Sequence, residues 1–376
     1  MKLLIAGGGT GGHLFPGIAL AEEVVTRRPG NAAVFVGTAR GIEAREVPKA
    51  GFPLELIDVS GLKGKGLAGI LVGLLRLPLA LFQSLALLGR HRPDVVVGVG
   101  GYASGPVLLA AWLRRIPTAI QEQNASPGMT NRVLGLFARA IFTAFPEAAR
   151  HFPARKVHLL GNPIRRALMD NFLKPAARAG GPFSLLVFGG SQGAHALNER
   201  AVESMRHLPA PLAGSLRVVH QTGPKDFTAV RDAYAAVKVQ ADVREFIDDM
   251  SAAYQSADLV LCRAGATTLA ELTVCKKAAI LVPFPAATDD HQTKNAASMV
   301  AAGAAVVIPQ GELTGERLAR EIARLAEHPE ERLAMEKAAG RLGRPEAARE
   351  IADVCAQLAS RGSFEPAAIH RSGPEL

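Results

Sequence analysis

Along the chain, short apolar runs alternate with helix-length amphipathic segments, the rhythm of βα units feeding a parallel sheet buried on both faces. In the first half the predicted strands are KLLIA, AAVFV, LELIDV, DVVVGV, TAIQ and AIFTA. In the second they are SLLVF, LRVVHQ, VREFI, DLVLC, AAILV and AAVVI. Each half thus has strands for a doubly wound α/β sheet of its own. At 376 residues the chain also exceeds the length, about 250 to 300 residues, beyond which one core tends to divide. The seam is expected near GNPIRRAL, where the strand KVHLLG ends on turn residues and a polar stretch leads to the next glycine-bearing strand. The expected division is residues 1–163, residues 164–341, a C-terminal helix at 342–360 packing back on the first domain, and a frayed tail at 361–376.

Two strands end on nearly the same phrase, MKLLIAGGGTGGH at the start and LLVFGGSQGAH from Leu185. At a fixed offset, Leu3, Leu4, Gly7, Gly8, Gly11 and His13 recur as Leu185, Leu186, Gly189, Gly190, Gly193 and His195. A strand that breaks on glycines and opens a helix leaves backbone N–H groups at the helix's positive end, where a phosphate can approach. A third cluster, GVGGYASGP, follows DVVVGV and falls at the same carboxyl edge of the first sheet. Gly7, Gly9 and Gly12 fit the dinucleotide fingerprint, but VFVGTARG offers no ribose-holding acid before Glu43. The loops therefore read as phosphate cradles facing each other across a cleft.

His13 follows the first cradle at a helix start, which disfavours imidazolium. A neutral imidazole there suits general-base work near pH 7, although such a histidine also commonly serves as a cap or turn residue. In CRAGATTLAEL, Glu271 lies on the helix after a strand, able to accept two ribose hydroxyls or simply to stand exposed. VPFPAATDDHQTKNA brings Asp290, His291, Gln292 and Asn295 after another strand, a cluster suited to sugar hydroxyls. Asp289 and Asp290 read as a helix N-cap in preference to a metal site. Cys262, Cys275 and Cys355 are odd in number and lack C-x-x-C spacing, so neither a disulfide framework nor zinc is indicated, and a reducing compartment is expected. Lys2 is followed by only four apolar residues before the glycines, too few for a signal peptide.

The net charge of +9 points to an anionic partner, while aromatics at 5% argue against a base-stacking nucleic-acid reader. One segment concentrates apolar and basic residues together: LKGKGLAGILVGLLRLPLALFQSLALLGRHRP, residues 62–93. Its stretch at 67–88 has the length of a membrane span, but Arg76 and Pro78 sit in its middle, and Lys63, Lys65, Arg90 and Arg92 bracket it. A packed core helix, an element lying in the interface of an anionic membrane and a true span are the three readings, the last of which interrupts the βα alternation.

GGTGGH, GGYASGP, EQN, GNPIR, GGSQGA, EFIDDM, CRAGATTLAEL and DHQTKNA occur in this order, and with them the chain resembles the MurG family from Lys2 to about Leu358. These peptidoglycan glycosyltransferases add N-acetylglucosamine to undecaprenyl-diphospho-muramoyl-pentapeptide (lipid I) to make lipid II. The resemblance implies a GT-B type fold, two facing Rossmann-like doubly wound parallel-sheet domains, with the donor in the carboxyl half and the acceptor mostly in the amino half. Ser191 and Gln192 would then hold the diphosphate of UDP-N-acetylglucosamine, Ile247 the uracil and Glu271 the ribose, with Ala266, Thr267, Thr268, Leu269 and Ala270 wrapping the nucleotide. Thr10, Gly11, Gly12, Asn124, Arg165, His291 and Gln292 would touch the sugar or its phosphates. Gly9, Gly100, Gly101, Tyr102 and Ser104 would face the lipid diphosphate.

The implied reaction is a single inverting displacement in which His13 deprotonates the acceptor's 4-hydroxyl, with no enzyme nucleophile. Loop N–H groups, a helix dipole and Arg165 would stabilise the leaving diphosphate, so neither a cofactor nor a protein-bound metal is expected. The implied partners are UDP-N-acetylglucosamine, lipid I and the anionic cytoplasmic face of the plasma (inner) membrane, with no nucleic acid; other cell-wall synthesis proteins stay open as partners. Where the family commonly has HEQN, this chain reads QEQN, and Gln121 cannot relay a proton as histidine can. A soluble-acceptor transferase or a UDP-N-acetylglucosamine 2-epimerase would share the donor half without needing the apolar segment, and a non-catalytic basic membrane-binding protein would show no UDP affinity.

Overall fold

The computed structural model describes residues 1–59, 67–172, 181–190 and 193–360, with the backbone alone at 67–76 and 171. Strand and helix alternate along the first domain as β1 (Lys2–Gly7), α1 (Gly11–Arg27), β2 (Ala32–Gly37), α2 (Glu43–Lys49), β3 (Leu54–Leu56) and α3 (Leu67–His91). It continues with β4 (Val95–Gly100), α4 (Ser104–Leu113), β5 (Thr118–Glu122), α5 (Met129–Leu134), β6 (Ala140–Thr143), α6 (Pro146–Ala149) and β7 (Val157–Leu159). Helix α7 (Arg166–Phe172) leads into the second domain: β8 (Ser184–Phe188), α8 (His195–Met205), α9 (Ala210–Ser215), β9 (Arg217–Gln221), α10 (Phe227–Ala236), β10 (Gln240–Arg244) and α11 (Met250–Ser256). Then follow β11 (Leu259–Cys262), α12 (Ala266–Val274), β12 (Ala279–Leu281), α13 (His291–Ala301), β13 (Val306–Val307), α14 (Gly315–Glu327), α15 (Pro329–Leu342) and α16 (Ala347–Ser360).

The first sheet runs β3-β2-β1-β4-β5-β6-β7 and the second β10-β9-β8-β11-β12-β13, with every pairing parallel. Each order reverses once, between β1 and β4 and between β8 and β11, the switch points where such sheets open a crevice beyond their carboxyl ends. Both faces of each sheet are covered, which is why the central strands read as unbroken apolar runs; every residue of β1 after Lys2 is buried, and so is all of β4.

Three strands depart most from the sequence reading, AAVVI being paired only over Val306–Val307. LELIDV is paired only over Leu54–Leu56, at the sheet's edge. VREFI is shifted back: β10 is an edge strand whose residues alternate exposed and half-buried, and it ends at Arg244. Ile247 lies beyond the strand, where burial and an N–H bond to Gln221 Oε1 at 2.8 Å hold it instead.

The chain passes between the domains twice. Ile164 and Leu168 already belong to the second core, and α15 ends there with Ala338 and Ala339. Helix α16 then returns to the first domain, where Ile351, Ala352, Cys355 and Leu358 join the core that holds Leu14, Ile18 and Val24 of α1. Arg27 of α1 fixes it by donating to Asp353 Oδ1 and to the Arg349 carbonyl, both at 2.6 Å.

Among the described residues no helix is long and apolar enough to cross a membrane. Ala80, Ser84, Leu87 and Leu88 of α3 recur at helical spacing and are buried, and α3 packs on α4. Leu77 and Leu79 are exposed, and Phe82, on the opposite side, is 69% exposed. Lys63 and Lys65 lie outside the described residues, as does the tail at 361–376.

Candidate active site

At the first switch point the glycines serve chiefly to let two loops interlock. A Cβ on Gly7 (φ +140°) would lie 2.2 Å from the Gly100 carbonyl, and one on Gly101 (φ +80°) 2.5 Å from that of Gly8. Gly8 N–H donates to the Gly100 carbonyl at 3.3 Å. Gly9 alone faces open space, yet its N–H donates to Glu43 Oε2 at 2.7 Å. Glu43, only 1% exposed, also accepts from Thr38 N–H and Oγ1, each at 2.9 Å. The acid noted at the end of VFVGTARG thus braces the loop from behind.

Ser104, expected among the diphosphate ligands, is corrected in the same sense. Its hydroxyl is fully buried, contacts the carbonyls of Ala6 at 2.7 Å and Gly100 at 2.9 Å, and accepts from Gly100 N–H, so it ties β1 to β4 and has no face toward a ligand. Tyr102 is half exposed, and the first-turn N–H groups of Gly11 and Gly12 have no intrahelical partners.

His13 is seated against Gly100, where a Cβ would stand 3.1 Å from its ring, with Nδ1 3.3 Å from Thr10 Oγ1. Burial pushes its pKa below 6.5; a hydrogen bond with the Gly8 backbone opposes this, and the nearby His291 adds to it. The neutral, proton-accepting form is therefore favoured.

In the second domain Gly193 (φ +76°) passes so close to the Thr222 carbonyl that a Cβ would be 1.9 Å away, while Gly190 (φ +103°) faces open space. Ser191 and Gln192 lie outside the described residues. His195, the counterpart of His13 in the repeated phrase, is exposed beside Asp226 (3.1 Å) and Glu199 (3.3 Å).

Glu271 is 6% exposed and not the free surface carboxylate that its helix position allowed. It accepts from Tyr254 Oη at 3.0 Å and lies 3.8 Å from Arg165 Nη2. Burial raises its pKa, and Arg165 and the Tyr254 hydrogen bond work against that rise. Arg165 in turn stacks over Phe15 of α1, 5.2 Å from the ring centroid, so one guanidinium touches both domains.

Ala266 is buried and Leu269 belongs to the second core, while Thr267, Thr268 and Ala270 are half-buried. Gln292 Oε1 accepts from Phe284 N–H at 3.0 Å, and His291 Nδ1 lies 2.6 Å from the Thr288 carbonyl. Asp290 occupies the N-cap position of α13, but its left-handed backbone (φ +54°) gives no side-chain cap, which corrects the expected capping role. Among the described residues no group of three or more His, Cys, Asp or Glu could hold a metal ion.

The two sides are stitched together by Asn295, which the sequence placed among the sugar ligands. Its Oδ1 accepts from Ala125 N–H at 2.8 Å and its Nδ2 donates to Asn124 Oδ1 at 3.1 Å. Thr267 Oγ1 donates to the Gly12 carbonyl at 3.5 Å. The Asn124 loop is held by Glu122, which accepts from Asn124 N–H (3.0 Å), Gly128 N–H (3.2 Å) and Asn131 Nδ2 (2.9 Å); burial raises its pKa, the hydrogen bonds opposing. Gln121 is buried and donates to the Gly161 carbonyl at 3.1 Å, a supporting contact at the domain seam. Sequence reasoning missed Glu43, Glu122 and Tyr254 as parts of the site. Glu122 was within the EQN motif, whereas Tyr254 had no local signal.

Two parallel doubly wound domains with glycine loops at their switch points make up the GT-B type fold. The Glycosyltransferase family 28 N-terminal domain matches residues 3–143 and the Glycosyltransferase family 28 C-terminal domain matches residues 184–353. The chain is 65% identical over 373 residues to a UDP-N-acetylglucosamine--N-acetylmuramyl-(pentapeptide) pyrophosphoryl-undecaprenol N-acetylglucosamine transferase of Anaeromyxobacter sp. (strain Fw109-5), covering 99% of this chain and 97% of that one. It is 63% identical over 358 residues to the protein of that name from Myxococcus xanthus (strain DK1622), covering 95% and 93%. The crystal structure of Acinetobacter baumannii MurG superposes with a TM-score of 0.77 at 31% identity, covering 95% of this chain and 99% of that one. The chain belongs to the MurG family of UDP-N-acetylglucosamine-dependent glycosyltransferases.

Proposed function

We propose that the cleft performs its family's reaction, inverting transfer of N-acetylglucosamine from UDP-N-acetylglucosamine to the 4-hydroxyl of the muramoyl sugar of lipid I, yielding lipid II for peptidoglycan synthesis. The observation that carries the residue assignments is the closure of the start of α1 onto α12, through Thr267 and Gly12 and through Arg165 between Phe15 and Glu271. It brings a neutral histidine and a ribose-binding acid into one cleft.

On the donor side the Ile247 carbonyl meets the uracil, because its N–H is already committed to Gln221, and Glu271 takes the ribose hydroxyls. Ser191, Gln192 and the open Gly190 receive the diphosphate, with the N-terminus of α12 behind it. Thr10, Gly11, Gly12, Asn124, His291 and Gln292 surround the sugar. Arg165 neutralises charge as UDP leaves. On the acceptor side Gly9, Gly100, Gly101 and Tyr102 face the lipid diphosphate, while Ser104 and Glu43 hold the loops in register. His13 removes the proton from the attacking hydroxyl in the same step as the glycosidic bond to UDP breaks. Mixing the protein with UDP-N-acetylglucosamine and a short-chain lipid I analogue should give a product heavier by one N-acetylglucosamine residue, with UDP released; UDP release without that product would sink the assignment.

A polyprenyl acceptor requires the first domain to reach the bilayer. The exposed Leu79 and Phe82 of α3, Trp112 and Leu113 of α4 and Val133 of α5 lie on helices packed side by side, with Leu136 just beyond α5 and Arg90, Arg114 and Arg132 exposed among them. Such a surface suits peripheral docking on anionic lipid at the cytoplasmic face, each basic residue adding about 1 kcal/mol. Co-sedimentation with vesicles should rise with anionic lipid, fall with salt, and weaken when Phe82 and Trp112 become serine. Binding indifferent to lipid charge and to these substitutions would return α3 to a purely structural role.

A further inference from the structure

Behind α12, where the two domains meet, lies a cavity of about 170 Å³. One wall comes from the first domain, with Phe145, Glu147, Gly161 and Asn162; the other comes from α12, Met299 of α13 and Leu342 at the end of α15. The α12 residues that line it, Ala266, Leu269, Ala270 and Thr273, recur at helical spacing on one face. Glu271 points from the opposite face, so the cavity is separate from the ribose position.

The walls differ in character. Asn162 is 3% exposed, and neither its amide nitrogen nor its amide oxygen has a hydrogen-bond partner among the described residues. Oε2 of Glu147 is likewise unpartnered, as are the nearby Gln121 Oε1 and Thr143 Oγ1. Buried amides with both ends unpaired are rare, because the desolvation cost is then uncompensated. Facing them, Leu269, Ala270 and Met299 offer only carbon and sulfur. Thr273, Ser298 and Arg344 also line the cavity, but the carbon surface of Leu269, Ala270 and Met299 gives water no partner, and a cavity of about 150 Å³ suffices for a molecule as large as benzene.

We propose that this interdomain cavity is a binding site for a small neutral molecule with an amide-like head and a compact apolar body. The head pairs with both ends of Asn162, and the body rests on α12 and Met299. Glu147 and Arg344 both line the cavity, so charges of opposite sign offset each other there and neither an acid nor a cation is favoured over a neutral molecule. Because the cavity is built from both domains, its occupant belongs to the closed arrangement of the cleft.

Benzamide, with toluene as its headless counterpart, tests this on the full-length protein by saturation-transfer NMR titration. Roughly nine heavy atoms should give about millimolar affinity for benzamide. Ser298 lines the cavity and has no part in the site described above. S298F should weaken benzamide at least tenfold while leaving glycosyl transfer intact. N162L should weaken benzamide and tighten toluene, a reversal that a general loss of structure would not produce; this ratio decides the matter if S298F fails to fold. No detectable benzamide binding, equal binding to wild type and S298F, or an unchanged benzamide-to-toluene ratio in N162L would mean that the cavity holds water only.

Discussion

The loops at residues 7–13 and 189–195 carry the same phrase on the same kind of strand, yet their terminal histidines have different surroundings. His13 is packed against Gly100 with its pKa lowered by burial, whereas His195 stands in solvent between two carboxylates on the outer side of α8. The first loop is also locked into a neighbouring glycine loop and braced by Glu43; the described residues of the second pack against the Thr222–Gly223 backbone, with Gln221 Nε2 donating to the Gly190 carbonyl at 3.0 Å. A shared backbone motif therefore supplies a shared turn. What chemistry the turn hosts depends on the strand beside it, and only β4 brings a second glycine loop to the switch point.

The sharpest way to break this comparison is to change both histidines. H13A should lower turnover by about a hundredfold or more with donor affinity nearly unchanged, while H195A stays within about twofold of wild type. Similar losses in both would show that the asymmetry has no catalytic meaning. Next in size is E271A, which should weaken UDP binding by about 1 to 3 kcal/mol in calorimetry, because a carboxylate held by Tyr254 and Arg165 is lost from the ribose position. E43Q keeps the shape but can accept at only one oxygen where the carboxylate uses two. We expect about 1 to 2 kcal/mol less stability in denaturant melts and a raised acceptor KM with donor affinity untouched.

The smallest effect concerns pH. A base works unprotonated, so a pKa lowered from 6.5 keeps His13 competent at pH 6.5, where a free imidazole would be half protonated. The acid limb of kcat/KM should accordingly fall below pH 6.5. A limb at or above that value would mean that His13 is not desolvated in the working enzyme, or is not the base.

The βα alternation and the two glycine-bearing switch points were legible because parallel sheets buried on both faces leave apolar runs that break where backbone must come close. Less legible was which glycines face a ligand: Gly7 and Gly101 are demanded by protein backbone and Gly100 by the His13 ring, and a spacing pattern does not distinguish a carbonyl or a ring from a phosphate as the close neighbour. Glu271 and Arg165 stand in quotable motifs, and the structure places them 3.8 Å apart, but Tyr254 lies 17 residues before Glu271, on a different helix. Ser104 was misplaced because its hydroxyl could point to either side of the loop, and the unmet carbonyl of Ala6 decided it. Ile247 likewise depended on a long-range partner, Gln221, and not on local strand propensity.

The two passages of the chain between domains run beside each other. Gly161, in the first, sits so close to Arg344, in the second, that a Cβ on it would lie 2.5 Å from the arginine's own. Two parallel tethers fastened at one spot behave as a door hinge, not as a string. Swinging about that spot stays available, while sliding and twisting are resisted by the second tether. A rotation of one domain against the other would therefore turn about this one spot. A side chain at residue 161 would wedge the hinge itself, without touching either substrate.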